Sequence, residues 1–204
     1  MEPLDRSWQR AWRNLGLPAP ASLKSRLINA YSEPSRQYHS LQHLLECITH
    51  LEPVIHLAHH PGEVEISLWF HDAIYDPKAK DNELRSGQWA SDALIDKGAS
   101  PVQAQRVRSL ILATRHQSTP TEPDQQLIVD IDLAILGASP ARFAEYDAQV
   151  KAEYLWVPNV IYRRQRQAVL QAFLDRDPLY RTAHFRHQYE QPAKANLQGA
   201  IQSR

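Results

Sequence analysis

Leu68-Trp69-Phe70-His71-Asp72-Ala73-Ile74-Tyr75 is the stretch on which the fold turns. An apolar run ends in a histidine and an aspartate side by side. An imidazole nitrogen and a carboxylate oxygen are both good ligands for a divalent metal. Adjacent residues on a helix point in different directions, so one ion can join them only at a helix end or a bend. Asp76-Pro77 supplies such an end, because the residue before a proline is pushed out of helical geometry. Taken alone, the dipeptide reads more simply as a last turn capped by His71 with a solvated Asp72.

Outward from this stretch the hydrophobic period is helical almost throughout. Upstream, Glu63-Val64-Glu65 opens the helix that leads to His71, after a break at Pro61-Gly62. Trp8, Trp12 and Leu15 share a face, as do Leu23, Leu27 and Tyr31 before Pro34. Leu41, Leu44, Leu45 and Ile48 mark a helix from Tyr38 to near Pro53. Downstream, Pro77 to Asp81 is a loop, Asp81 or Asn82 caps a helix to Lys97, and Gly98 stops it. Ser100-Pro101-Val102-Gln103 is a capping box that opens a helix ending near Arg115-His116. Further helices carry Leu127 to Leu136, Phe143 to Tyr154, and Ile161 to Phe173, and Pro178 begins a tail with His184, His187 and Leu197. No alternating strand, repeat or low-complexity segment stands out, and the 14 prolines act mostly as helix punctuation. The expectation is an all-α, single-domain protein.

At 204 residues the chain suits one domain with a sizeable core. With 23 Lys+Arg against 23 Asp+Glu it lacks the basic excess of a protein that grips a nucleic-acid backbone. Arg163-Arg164-Gln165-Arg166, the one basic cluster, reads as a solvated helix face. The single cysteine, Cys47, excludes an internal disulfide and a cysteine-based metal site, and is expected to pack as a small hydrophobe. The first residues lack a signal-peptide layout and no apolar run spans a bilayer, so a cytoplasmic protein without membrane contact is expected. Trp8, Trp12, Trp156 and Phe173 read as core or as a homodimer contact.

Two further patterns bear on chemistry. His39 and His43 are four residues apart, which on a helix stacks them on one face. Zinc metalloproteases use that spacing but need a glutamate after the first histidine, and Ser40 stands there instead. Val129-Asp130-Ile131-Asp132-Leu133 sets two carboxylates among apolar residues, where a charge is costly unless paired or metal-bound. Taken alone, an exposed helix start, with Asp130 as cap and Asp132 favoured by the helix dipole, is the better account of them.

Together, Arg36-x-Tyr38-His39-x-x-x-His43, Trp69-Phe70-His71-Asp72-Ala73-Ile74-Tyr75-Asp76, Asp81-Asn82-Glu83-x-x-Ser86 and Asp130-Ile131-Asp132-Leu133-Ala134-Ile135-Leu136-Gly137 resemble the HD superfamily of metal-dependent phosphohydrolases. Within it they are most similar to a small bacterial subgroup known only as predicted enzymes. The resemblance runs from about Ser32 to Tyr154. It implies a helical bundle of the HD type over residues 1–204, with a core at 22–175 and helical extensions at both ends. It implies metal ligands His43, His71, Asp72 and Asp132, with Asp130 as the alternative last ligand and His39 as second choice for the first.

Only His116 lies between the His-Asp pair and the last aspartate, so the resemblance favours one divalent ion: manganese, magnesium, iron, nickel or zinc. Arg36, His39, Asn82 and His116 would then face a small phosphorylated substrate or nucleotide, with Arg85 a further candidate for the phosphate. Asp72 would orient a metal-activated water and Glu83 would act as an outer general acid or base. His50, His56, His59 and His60 read as surface or linker residues. The competing expectation is a non-catalytic helical domain that keeps a metal for stability or ligand sensing. An HD-type oxygenase with two irons is a third.

Overall fold

The computed structural model describes residues 2–203. In chain order its helices are α1 (Glu2–Leu15), α2 (Ala21–Tyr31), α3 (Leu41–Leu51), α4 (Pro61–Phe70), α5 (Asn82–Asp96), α6 (Pro101–Ala113), α7 (Pro123–Asp132), α8 (Pro140–Glu153), α9 (Asn159–Leu174) and α10 (Ala183–Gln202). Two 3-10 segments, Glu52–Leu57 and Leu133–Gly137, complete the regular structure, and no strand occurs among the described residues. The chain is all-α, as its periodicity predicts. Among the described residues no helix is long and apolar enough to cross a membrane. The chain groups into two compact units, residues 1–129 and 130–204.

The first unit is built on α4. Every residue from Gly62 to Phe70 is buried, so this helix has no solvated face. Helices α1, α3, α5 and α6 pack on it. Trp8 and Trp12 belong to this core rather than to a free surface, and Trp8 meets the Trp69 ring edge-on at 4.9 Å. Gly62 is what lets α1 approach: a Cβ there would lie 2.9 Å from the backbone of Asn14 and Leu15.

The charges inside α4 are paired. Arg10 grips both Glu65 carboxylate oxygens at 2.6–3.1 Å, the Ser7 hydroxyl donates to Glu65 at 2.7 Å, and the Trp69 indole donates to Ser7 at 3.0 Å. Arg106 grips Glu63 in the same two-pronged way. Asp124 accepts the amides of His59 and His60 at 2.7 and 2.9 Å and so ties down the two residues that lead into α4. The capping box at Ser100 forms with both of its bonds, and Gly98 closes α5 with a left-handed φ of +95°. Helix α4 ends at Phe70, five residues before Tyr75 and well short of Asp76-Pro77. The expected proline stop is therefore not what ends it.

The second unit is assembled around the buried segment Leu133–Gly137, on which α10 and α8 pack. The Tyr180 hydroxyl donates to the Leu133 carbonyl at 2.9 Å, and Asn196 donates to those of Leu136 and Ala138 at 2.9 Å. The stretch expected as a tail is thus a 20-residue helix with Phe185, Ala193 and Leu197 fully buried. The basic cluster is also not wholly solvated. Arg166 is buried, pairs with Asp147 at 3.1 Å and covers the Tyr146 ring. Leu155, Trp156 and Val160 are exposed.

Candidate metal centre

His43, in the first turns of α3, and His71, directly after α4, are both buried, and their Nε2 atoms lie 3.0 Å apart. The Oδ2 of Asp72 is 3.1 Å from His71 Nε2 and 3.5 Å from His43 Nε2. The adjacent pair His71-Asp72 converges because α4 stops at Phe70 and the chain bends there.

The proton on His71 is assigned by its partner. Nδ1 lies 2.8 Å from the Leu68 carbonyl, which can only accept. Nδ1 therefore carries the hydrogen, and Nε2 presents a lone pair toward His43 and Asp72. Burial works against the charge of Asp72, but the His71, His39 and His43 imidazoles outweigh it and hold this carboxyl well below the usual carboxylate range. His71 Nε2 and an ionised Asp72 oxygen thus face each other at 3.1 Å, a distance that a proton on Nε2 bridges or that two ligands of one cation keep.

Atoms bound to one cation at about 2.1 Å lie about 3.0 Å apart at a right angle and about 3.4 Å apart at the tetrahedral angle. The triangle of 3.0, 3.1 and 3.5 Å has that size. The residues present therefore fit a divalent ion.

The turn that carries this pair, residues 71–76, is held from outside at nearly every peptide. Arg36 donates to the carbonyls of Asp72 at 2.5 Å, Ala73 at 3.0 Å and His39 at 3.2 Å, while its Nε meets Glu33 at 3.1 Å. The Tyr31 hydroxyl oxygen accepts the Asp72 amide at 3.2 Å. Burial, and next the Asp72 charge, push the Tyr31 phenol up, so it stays neutral. Ser86 accepts the Ile74 amide at 3.0 Å and donates to its carbonyl at 3.3 Å. The Asn82 amide brackets the backbone of Asp76, at 3.1 and 2.9 Å. Arg36, Asn82 and Ser86 are thus parts of a clamp. The conspicuous spacing Asp81-Asn82-Glu83-x-x-Ser86 is explained by it.

His39 differs from its expected place. Ser40 is the N-cap of α3, so His39 precedes the helix and does not share a helical face with His43. Its ring stacks on Tyr75 at 4.0 Å and stands 6.1 Å from the His43 ring. The residue one turn along the same face is Cys47, whose Sγ lies 3.7 Å from His43 Nε2. His43, Cys47 and His71, all buried, each offer a ligand atom within 4.8 Å of the others. Sequence reasoning missed Cys47 because it counted cysteines and did not ask which residue follows His43 by four.

Glu83 is half-buried, with Arg115 Nε 3.9 Å from its carboxylate. His116 closes α6 in a left-handed conformation with φ 56°. Arg85, His59 and His60 are exposed. Asp130 and Asp132 stand in the last turn of α7, not at a helix start. Asp130 is fully buried and accepts the amides of Arg181 and Thr182 and the Thr182 hydroxyl, at 2.7–3.1 Å. Burial raises its pKa despite those bonds. Its oxygens are committed to the chain that opens α10.

No known protein family matches the chain, and no curated protein or solved structure is significantly similar to it.

Proposed function

We propose that the protein is a metal-dependent phosphohydrolase of the HD type, acting on a small phosphorylated molecule or nucleotide. The observation that carries this reading is the triangle of His43 Nε2, His71 Nε2 and Asp72 Oδ2, with edges of 3.0–3.5 Å. Of the two late aspartates expected as the last ligand, Asp130 is set aside, because its carboxylate is taken up by the Arg181 and Thr182 amides.

A divalent ion bound there lowers the pKa of a water and polarises a phosphoryl oxygen. The chain supplies orientation. The Leu68 carbonyl fixes the His71 tautomer, and Arg36, Tyr31, Ser86 and Asn82 hold the Asp72 turn rigid. Arg36 is accordingly a positioning residue rather than a phosphate ligand. Asp72, whose side chain is 15 % exposed against 2 % for His43, is the edge open to substrate and orients the attacking water. His39, whose ring stacks on Tyr75, is assigned to the approach, and His116 keeps in this proposal the role of substrate contact expected from the sequence. Glu83, beside Arg115, takes the role of outer general acid or base.

Two measurements test this. A chelator abolishes hydrolysis of a generic phosphate ester. His71→Ala and Asp72→Ala do the same while circular dichroism stays helical. Full activity in either variant defeats the proposal. The burial of both imidazoles also suits an ion kept for stability alone. That reading expects a bound metal with no turnover across a broad phosphate panel.

A further inference from the structure

One buried side chain at the proposed centre has no part in that mechanism. Cys47 stands one turn beyond His43 on α3 and is 1 % exposed. Its Sγ lies 3.7 Å from His43 Nε2 and 3.8 Å from Nδ1, and within 4.8 Å of the ligand nitrogen of His71. A nitrogen and a sulfur bound to one ion at about 2.1 and 2.3 Å lie about 3.6 Å apart at the tetrahedral angle. The helix repeat thus delivers a mixed imidazole–thiol pair where a two-imidazole pair was expected.

We infer that the Cys47 thiolate is a ligand of the same cation, and that the donor set of two nitrogens, one sulfur and carboxylate oxygen selects a zinc-class ion over magnesium or manganese. The inference rests on the metal centre of the proposed function and narrows its cofactor. A thiolate is a soft ligand that suits zinc and ferrous iron, whereas magnesium and manganese favour carboxylates and water. On binding, the S–H bond breaks, the proton passes to solvent, and the electron pair left on sulfur forms the bond to the ion. Nothing is oxidised or reduced.

The test uses the full chain, stripped by a chelator and reloaded with cobalt(II), a spectroscopic stand-in for zinc. A sulfur-to-cobalt charge-transfer band in the near ultraviolet is expected in the unaltered protein. Cys47→Ser and Cys47→Ala should lose it while still retaining cobalt by elemental analysis. Zinc affinity should fall about tenfold or more in both variants, with manganese affinity little changed. Cobalt bound without that band, or a band that survives in both variants, overturns the inference. Should neither variant fold, the spectrum of the unaltered protein decides alone. Failure to bind cobalt at all sinks the metal centre and this inference together. A charge-transfer band without phosphate-ester hydrolysis keeps Cys47 as a ligand and removes only the hydrolase reading.

Discussion

At His71 the position of one hydrogen decides what the site can bind. With Nδ1 committed to the Leu68 carbonyl, Nε2 is the ring atom left to a ligand, 3.1 Å from the Asp72 oxygen. Asp72→Asn replaces one acceptor by a side chain that can donate, so it should fold as well as the parent yet bind metal at least about 10- to 100-fold more weakly, read by metal titration. Arg36→Ala tests the clamp. It leaves the carbonyls of Asp72, Ala73 and His39 without their shared donor, at a cost of about 2–4 kcal/mol in urea unfolding, and metal affinity should fall with it. An Arg36→Ala protein of unchanged stability would remove the clamp from the account. Glu83→Gln separates the outer acid–base role from metal binding: the metal should stay and kcat should drop about 100-fold or more.

At the scale of elements, α1 and α4 pack closely because Gly62 has no side chain. Gly62→Ala puts a Cβ 2.9 Å from Asn14 and Leu15, and should cost about 1–3 kcal/mol in thermal or urea unfolding. Most elements were readable in advance because their punctuation is strong. Ser100 and Gln103, Gly98, and Ser139 before Pro140 all act at helix ends as their chemistry predicts. The errors have local physical causes. Helix α3 starts at Leu41 rather than Tyr38, which removes His39 from the helical pair and promotes Cys47. Helix α4 yields at Phe70 although the sequence offers no breaker there, because its end is fixed by side chains distant along the chain, Arg36 and Tyr31. Such long-range support leaves no periodic trace. The convergence of His43, His71 and Asp72 was legible only through the combination of motifs, since each alone reads as an ordinary cap or core residue.

At the scale of the whole chain, one consequence of a bound ion is measurable. A ligand that binds only the native state, present at a hundred times its dissociation constant, adds about 2.7 kcal/mol to stability. Chelation should therefore lower the melting temperature, and re-addition of metal should restore it. A melt unaffected by both would contradict a tightly held ion. Two compact units also mean that a single transition is not guaranteed, so unfolding is best followed by more than one probe.

The bend at residues 71–76 is unlike an ordinary connector. Its amides at Asp72, Ala73, Ile74 and Asp76 are each handed to a fixed acceptor: Tyr31, Phe70, Ser86 and Asn82. In deuterated buffer those four hydrogens should be replaced as slowly as those inside a helix, whereas the tip at Thr119 to Thr121 should exchange at once. A segment without helical geometry would then rank among the last parts of this chain to open.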